Sequence, residues 1–435
     1  MHQAAGFRRV AVVLVANVVV FCVAAEMLAL AIFYYEHGWL FYLDPYRPTI
    51  APIQQDGGGD ALTAVGLHPY FGPTHRPGIS FDLPPELRSG EADQPMATNN
   101  FGFPARVNYP FLKTSERQFV IGIFGGSVGA YFCRIGAARL EERLRRDSSF
   151  ANRELVTLCF SHEGYKQPQQ LLVLNYFLSI GQAFDLVINI DGFNEVTLGR
   201  INDQHGWDIS MPSHEHLDGL INLVNQATLT PAKVAALARI VDYREQLNAI
   251  AQRSNATSSA AVEFVLRHYH GFVRSRYERE RVRFEQLPSN LPANSPIHVT
   301  PKVRERRGDT VYEDIAANWR AASVLMQQLL AARRVSYLHV LQPNQYYSTR
   351  TFSAPERAVA FNEGSPFREG AAQGYPFLEK ALEAGALNAV HLFDTAPEAV
   401  YVDDCCHYTV AGNRVLADFI ANAVLTTGGA RSATH

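Results

Sequence analysis

Residues 118–129 read QFVIGIF-GGSVG. Gln118–Phe124 is a short, continuous apolar run, the pattern of a β-strand buried on both faces. It stops at Gly125-Gly126-Ser127, and a helical stretch through Arg145 follows. Working outward, ELVTLCF (154–160) is a second strand, a helical segment spans 168–180, and FDLVINI (184–190) is a third strand. VSYLHVL (335–341) and NAVHLFD (388–394) supply a fourth and a fifth, and a last helix runs over 410–425. Strands alternating with helices imply right-handed crossovers and a parallel sheet covered on both faces. The expected fold is therefore α/β: a flavodoxin-like, three-layer α/β/α arrangement around five parallel strands.

The remainder of the 435 residues is organised around that core. From Val10 to Tyr35 the chain is almost wholly apolar, with only Asn17 and Glu26 as strongly polar interruptions. A helix of ~20 apolar residues spans a bilayer, so one transmembrane anchor is expected. Arg8 and Arg9 precede the run and Glu36 and Asp44 follow it, which places the N-terminus in the cytoplasm and the body of the protein in an extracytoplasmic or periplasmic compartment. Trp39, Phe41 and Tyr42 suit an interfacial aromatic belt. Val23-Ala24-Ala25 resembles a signal-peptide cleavage site, but the apolar run continues beyond it to Tyr35, which favours an uncleaved anchor. The expected organisation is 1–40 as cytoplasmic tip and anchor, 41–115 as a Pro- and Gly-rich linker or arm, and 116–430 as the α/β domain with a helical insertion at about 200–333. Within that insertion, 220–226, 234–251, 260–287 and 315–334 have helical periodicity. The charge run Arg274–Arg283 reads as a solvated helix face, with a basic patch for anionic substrate or lipid as the sharper option.

Composition narrows the function. Lys+Arg 39 against Asp+Glu 42 leaves a net charge of −3, without the basic excess of a nucleic-acid binder. The Gly-rich turn G-G-S-V-G lacks the G-x-G-x-x-G spacing of a dinucleotide site. Cys133, Cys159, Cys405 and Cys406 lie beyond the anchor and allow three pairings, among which the sequence does not choose. Adjacent cysteines are poorly spaced for tetrahedral zinc, and His214 and His216 read better as the start of a solvated helix than as metal ligands.

In an open parallel sheet the chemistry gathers beyond the carboxyl ends of the strands. Four blocks stand there: Gly125-Gly126-Ser127, Ser161-His162-Glu163-Gly164-Tyr165, Asp191-Gly192-Phe193-Asn194-Glu195 and Asp403-Asp404-Cys405-Cys406-His407. In this order they resemble the SGNH (GDSL-type) hydrolase/esterase superfamily over residues 118–200 and 335–425. The resemblance implies Ser127 as nucleophile, His407 as general base, and an oxyanion hole from the Ser127 and Gly164 N–H groups and the Asn194 side chain. It implies Asp404 as the acid that orients His407, with the adjacent Asp403 as a rival; the Asp-x-x-His spacing favours Asp404. No cofactor and no metal are required. Gly126 stands where the namesake motif has Asp, and Glu195 where the third block has Asp. Cys405 and Cys406 are candidates for bridges to Cys133 or Cys159 that would stiffen the His407 loop. The implied activity is removal of O-acyl groups from a carbohydrate or lipid through an acyl-enzyme. The alternatives are an O-acyltransferase of cell-envelope glycans with the same triad and a non-catalytic envelope or polysaccharide-assembly protein. Asn99–Phe103 is expected to pack near the site mouth, with the helical insertion on the other side.

Overall fold

A computed structural model describes residues 2–38, 40–43, 50, 65–81, 83, 87, 96–217, 230–287 and 297–432. Trp39, Asp44, the turn residues Pro45, Pro48, Pro52 and Gly57–Gly59, and the helix expected at 220–226 lie outside the described residues. The chain divides into two compact units, one of residues 1–60 with 222–296 and one of 61–221 with 297–435.

The second unit contains the sheet. Short hairpins pair β1 (Val65–His68) with β2 (Gly72–His75) and β3 (Ser80–Phe81) with β4 (Met96–Ala97). Five parallel strands follow: β5 (Gln118–Gly125), β6 (Glu154–Ser161), β7 (Leu186–Asp191), β8 (Ser336–Leu341) and β9 (Leu387–Asn388). Their spatial order is β6-β5-β7-β8-β9, the flavodoxin-like 2-1-3-4-5 arrangement. Alternation along β5 gives each face its own core. Ile121 and Ile123 pack in a cluster with Phe132, Leu140 and Ile420, whereas Val120 and Phe124 join Phe160, Phe177 and Phe184. Gly122 is needed on the second face, because a Cβ there would fall 2.6 Å from the Phe184 ring. The register sets Gly125 level with both Ser161 and Ile190, so the loops leaving β5, β6 and β7 start at one height.

Three elements differ from the sequence reading. The helix after β5 is two helices, α2 (Ser127–Ile135) and α3 (Ala137–Arg145), broken at Gly136, where a Cβ would lie 2.5 Å from the Phe132 ring. The fifth strand is only Leu387–Asn388 rather than 388–394. Beyond it the chain turns: the Asn388 side chain accepts the Val390 N–H, and Asp394 collects Ser348 and His391. Val390 and Phe393 are thus apolar because the turn is buried. Finally, Tyr109, Phe103 and Phe71 of the arm are fully buried on the β6 face, with Tyr109 stacked on Phe160 at 4.6 Å. The described part of 41–115 is core material as well as connection.

In this unit the longer helices between β6 and β9 are α4 (Gln169–Ser179), α5 (Phe193–Gln204), α8 (Thr310–Ala331), α9 (Ala354–Ala360) and α10 (Arg368–Ala381), and α11 (Val410–Ser432) is its last. α8 buries Trp319, Met326 and Leu330 in the sheet cores, so it is the crossover into β8. Cys133 of α2 is bonded to Cys159 of β6. Closing a loop of this size restricts the unfolded chain by about 3.5 kcal/mol. Cys405 and Cys406 are free thiols, so neither bridges to Cys133 or Cys159, which are already paired.

The first unit contains α1 (His2–His37), α6 (Pro231–Ala256) and α7 (Ala260–Gln286). Residues Val12–Glu36 of α1 are long and apolar enough to cross a membrane. α6 and α7 pack through Leu247, Ile250, Val273 and Tyr277. Thr230 and Ser259 cap them, each accepting a backbone N–H three residues on. The basic run on α7 is laced by Arg281–Glu278 and Arg283–Glu280, and Arg239 of α6 reaches Glu280. Glu26, the acid inside the apolar run, accepts the Ser259 hydroxyl at 2.6 Å and the Ala260 and Ala261 N–H groups at 2.7 and 3.1 Å. It therefore satisfies amides at the start of α7 that have no partner within the helix.

Gly102 sits at φ +83°, and a Cβ there would lie 1.8 Å from the His75 carbonyl oxygen. Gly181 has a similar φ of +94° but no atom within 4 Å of that position. Gly102→Ala should lower unfolding stability by more than about 2 kcal/mol, and Gly181→Ala by only about 1 kcal/mol. Chemical denaturation of the two variants beside the wild type checks the difference.

Candidate active site

β5 enters its turn at Gly125, where φ is +148° and a Cβ would fall 2.2 Å from the Ile190 carbonyl oxygen. Ser127 is then the first residue of α2, where the helix N-terminus favours negative charge on its oxygen. Gly126 is as constrained as Gly125. A Cβ there would lie 2.2 Å from Asn194 Nδ2, so the side chain of the third block occupies the space that a larger residue in the first would need.

His407 Nε2 lies 2.7 Å from Ser127 Oγ, although 280 residues separate them. Its other nitrogen, Nδ1, lies 2.5 Å from Asp403 Oδ2. The imidazole thus meets Asp403 and not Asp404, which the Asp-x-x-His spacing favoured. The reason is local. Asp403 Oδ1 accepts the N–H groups of Cys405, Cys406 and His407 in succession, at 3.0, 3.1 and 3.2 Å. The loop winds around that carboxylate and delivers His407 to its second oxygen. Asp404 is held by its backbone, whose carbonyl accepts the Tyr346 hydroxyl at 2.6 Å. Below the loop, Val402 N–H bonds the His407 carbonyl and Tyr401 bridges Tyr408, both tyrosines being buried. Burial pushes the Asp403 carboxyl up, but the hydrogen bonds from His407 and the loop amides outweigh it and hold the group below the ordinary carboxylate range. Tyr131 of α2 stands edge-on to the His407 ring at 4.7 Å.

The other two blocks adjoin this pair. Gly164, at φ +72°, follows β6 and leaves no room for a side chain, since a Cβ would lie 2.4 Å from the His216 ring. Asn194 Nδ2 donates to the Tyr165 carbonyl at 2.8 Å, which fixes the amide and leaves its second hydrogen for another acceptor. His216 lies in the helical turn at 214–217, as expected, but packs on this loop rather than standing in solvent.

Several residues that hold the site were named in the sequence only as members of their blocks, without a role. Glu195 is buried, accepting the Gln167 N–H at 2.9 Å on one oxygen and the Gly192 N–H at 2.8 Å on the other. It joins the second block to the third. Burial and the nearby Asp191 push its carboxyl up. An acid three residues after a glycine that precedes a helix is a capping signal, and this one could have been found. Glu163, beside Gly164, bonds His75 of β2 at 3.0 Å, so the arm reaches the second block. Burial pushes His162 down to about 4.

Among the described residues, two sets of ligand atoms lie within 4.8 Å of one another: Cys405, Cys406 and His407, and His75, His162 and Glu163. In the first, both His407 nitrogens are already engaged.

Beneath the third block, Asp191 accepts from Trp319 Nε1 at 2.7 Å and pairs with His339 Nε2 at 2.8 Å, while His339 Nδ1 faces Ser323 and Glu383. Burial lowers the affinity of His339 for its proton, but the two carboxylates win and raise it to about 10.

No protein-family model matches the chain, and no match was found among curated proteins. Among solved structures it is similar to the lipase Lip_vut3 from goat rumen metagenome. The identity is 10%, covering 70% of this chain and 97% of that one, with a TM-score of 0.33.

The His339 value sets a pH dependence. With its proton held to about 10 in the folded chain and to about 6.5 in the unfolded one, the stabilisation is complete below about pH 6.5 and is lost as pH rises through 10. Urea midpoints measured across this alkaline range should fall in the wild type and fall less steeply in His339→Gln.

Proposed function

We propose that the α/β unit is a serine esterase that removes O-acyl groups from a carbohydrate or lipid, as an SGNH-type hydrolase would. The observation that carries this reading is the hydrogen-bonded chain Ser127 Oγ, His407 Nε2, His407 Nδ1 and Asp403, at 2.7 and 2.5 Å. A hydroxyl so placed can lose its proton to an imidazole whose other side is fixed by a carboxylate.

In the first half-reaction His407 Nε2 takes the proton of Ser127 Oγ as that oxygen bonds to the ester carbonyl carbon. The carbonyl oxygen becomes an anion, for which the Ser127 and Gly164 N–H groups and the Asn194 amide are the candidate donors. Asp403 stabilises the imidazolium that forms. Collapse breaks the bond to the alcohol, which leaves with the proton from His407 Nε2. In the second half-reaction His407 removes a proton from water, the water oxygen attacks the acyl carbon, and Ser127 departs with its proton restored. The apolar helix at Val12–Glu36 supports a membrane anchor. Arg8 and Arg9 before it support an extracytoplasmic site, where acylated envelope glycans and lipids lie.

The experiment is hydrolysis of an activated acetyl ester by the full chain in detergent, with fluorophosphonate labelling alongside. Wild type should turn over and label, and Ser127→Ala should do neither. No labelling of folded wild type would overturn the reading. Including glycan acceptors in the same assay distinguishes water from a sugar hydroxyl as the second substrate.

The geometry also ranks the acids. Asp403→Asn should lower kcat by roughly 10²–10⁴, because the His407 tautomer and orientation are lost. Asp404→Asn should stay within about threefold of wild type. Asn194→Ala should cost roughly 10²–10³ in kcat. Equal losses for the two aspartates would refute the assignment of Asp403.

A further inference from the structure

Between the acid and the base of this site stand two adjacent free cysteines. Cys405 Sγ and Cys406 Sγ are 3.1 Å apart, in a chain whose other two cysteines beyond the anchor are joined. Cys406 is buried; Cys405 is half-buried and the more accessible of the pair. Their backbone N–H groups are two of the three that converge on Asp403 Oδ1.

We propose that Cys405 and Cys406 form an oxidative-modification site that takes small disulfides, closes to a vicinal disulfide and thereby switches off the site described above. The inference rests on the esterase reading for its effect, though not for the bridge itself. The chemistry is two thiol–disulfide exchanges. The Cys405 thiolate attacks a disulfide RSSR, forming Cys405–S–SR and releasing RS⁻, which leaves as RSH with the proton Cys405 gave up. The Cys406 sulfur, losing its proton, attacks Cys405 Sγ and expels the second RS⁻, which takes that proton. One RSSR is reduced to two RSH as two thiols become one disulfide.

The bridge must disturb the loop. Neighbouring Cα atoms stand about 3.8 Å apart across a trans peptide, whereas disulfides prefer Cα separations of about 4.4–6.8 Å. Adjacent residues cannot reach that separation, so the small ring formed on closure has to twist the 405–406 peptide. That peptide carries the Cys406 N–H, which cannot turn and stay on Asp403 Oδ1, and the same carboxylate holds His407 Nδ1. Oxidation would remove the support of the base while leaving Ser127 chemically intact. A bridge strained in this way is also readily reduced, so the change is reversible.

The test uses the full chain in detergent, treated with 2,2′-dithiodipyridine and then with a mild thiol. Peptide mapping should show the segment containing Cys405 and Cys406 two mass units lighter with no pyridyl adduct. Hydrolysis of the activated ester should fall at least tenfold. The thiol should restore both while Cys133–Cys159 stays mapped as a disulfide. Cys405→Ser should keep its activity through the same treatment. The proposal is overturned if the segment keeps its mass, if stable adducts form on the separate cysteines, or if the bridge forms and activity is unchanged. Should the untreated protein hydrolyse no ester, the esterase reading fails separately. Mapping then still decides the bridge, and hydrogen exchange at residues 405–407 decides the loop: faster exchange on oxidation supports the proposal, and unchanged exchange refutes it.

Discussion

The register of three parallel strands is the constraint from which the site follows. Gly125 is level with Ser161 and with Ile190, so the chain leaves β5, β6 and β7 at a common edge. Hydrogen bonding along the ladders and burial of both sheet faces fix this register, because a slip of one residue would exchange the two cores. Ser127, the Gly164 loop and Asn194 inherit their proximity from the sheet. Only His407 arrives independently, on a loop held by its own bonds to Asp403 and by Asn344, Gln345 and Tyr346.

Two carboxylates make the geometry durable, each by using both oxygens. Glu195 holds an amide of the second block with one and an amide of the third with the other. Asp403 gathers three successive amides on Oδ1 and the imidazole on Oδ2. The charge of Asp403 is thus a folding element of its loop as well as an electrostatic partner of His407. This explains why the residue nearer in sequence is not the one that meets the ring: the acid must sit far enough back for the intervening amides to wrap around it.

Much of this was legible in the sequence. The strands β5 to β8 announce themselves as apolar runs because both faces are covered. The blocks after them stand out because glycine, serine and asparagine at strand ends satisfy turn and helix-start geometry. What escaped was set by contacts between distant segments. The apolar residues of 388–394 could not reveal that they line a buried turn rather than a strand, since burial alone gives no period. The choice between Asp403 and Asp404 depended on loop winding. The arm looked like a linker by its prolines and glycines, yet Phe71, Phe103 and Tyr109 complete a sheet face. The pairing of Cys133 with Cys159 needed the packing of α2 on β6.

The acid within the apolar helix bears on how the molecule is made. Glu26 meets Ser259, Ala260 and Ala261, which a ribosome adds 233 to 235 residues later. Residues 61–221, carrying β5, β6 and β7, are synthesised in between. During translation the carboxylate is therefore made long before the amides that will hydrogen-bond it. The helical unit is nested around part of the other in biosynthetic order: the first to begin, it reaches completion only after three of the five parallel strands of the other unit have been made.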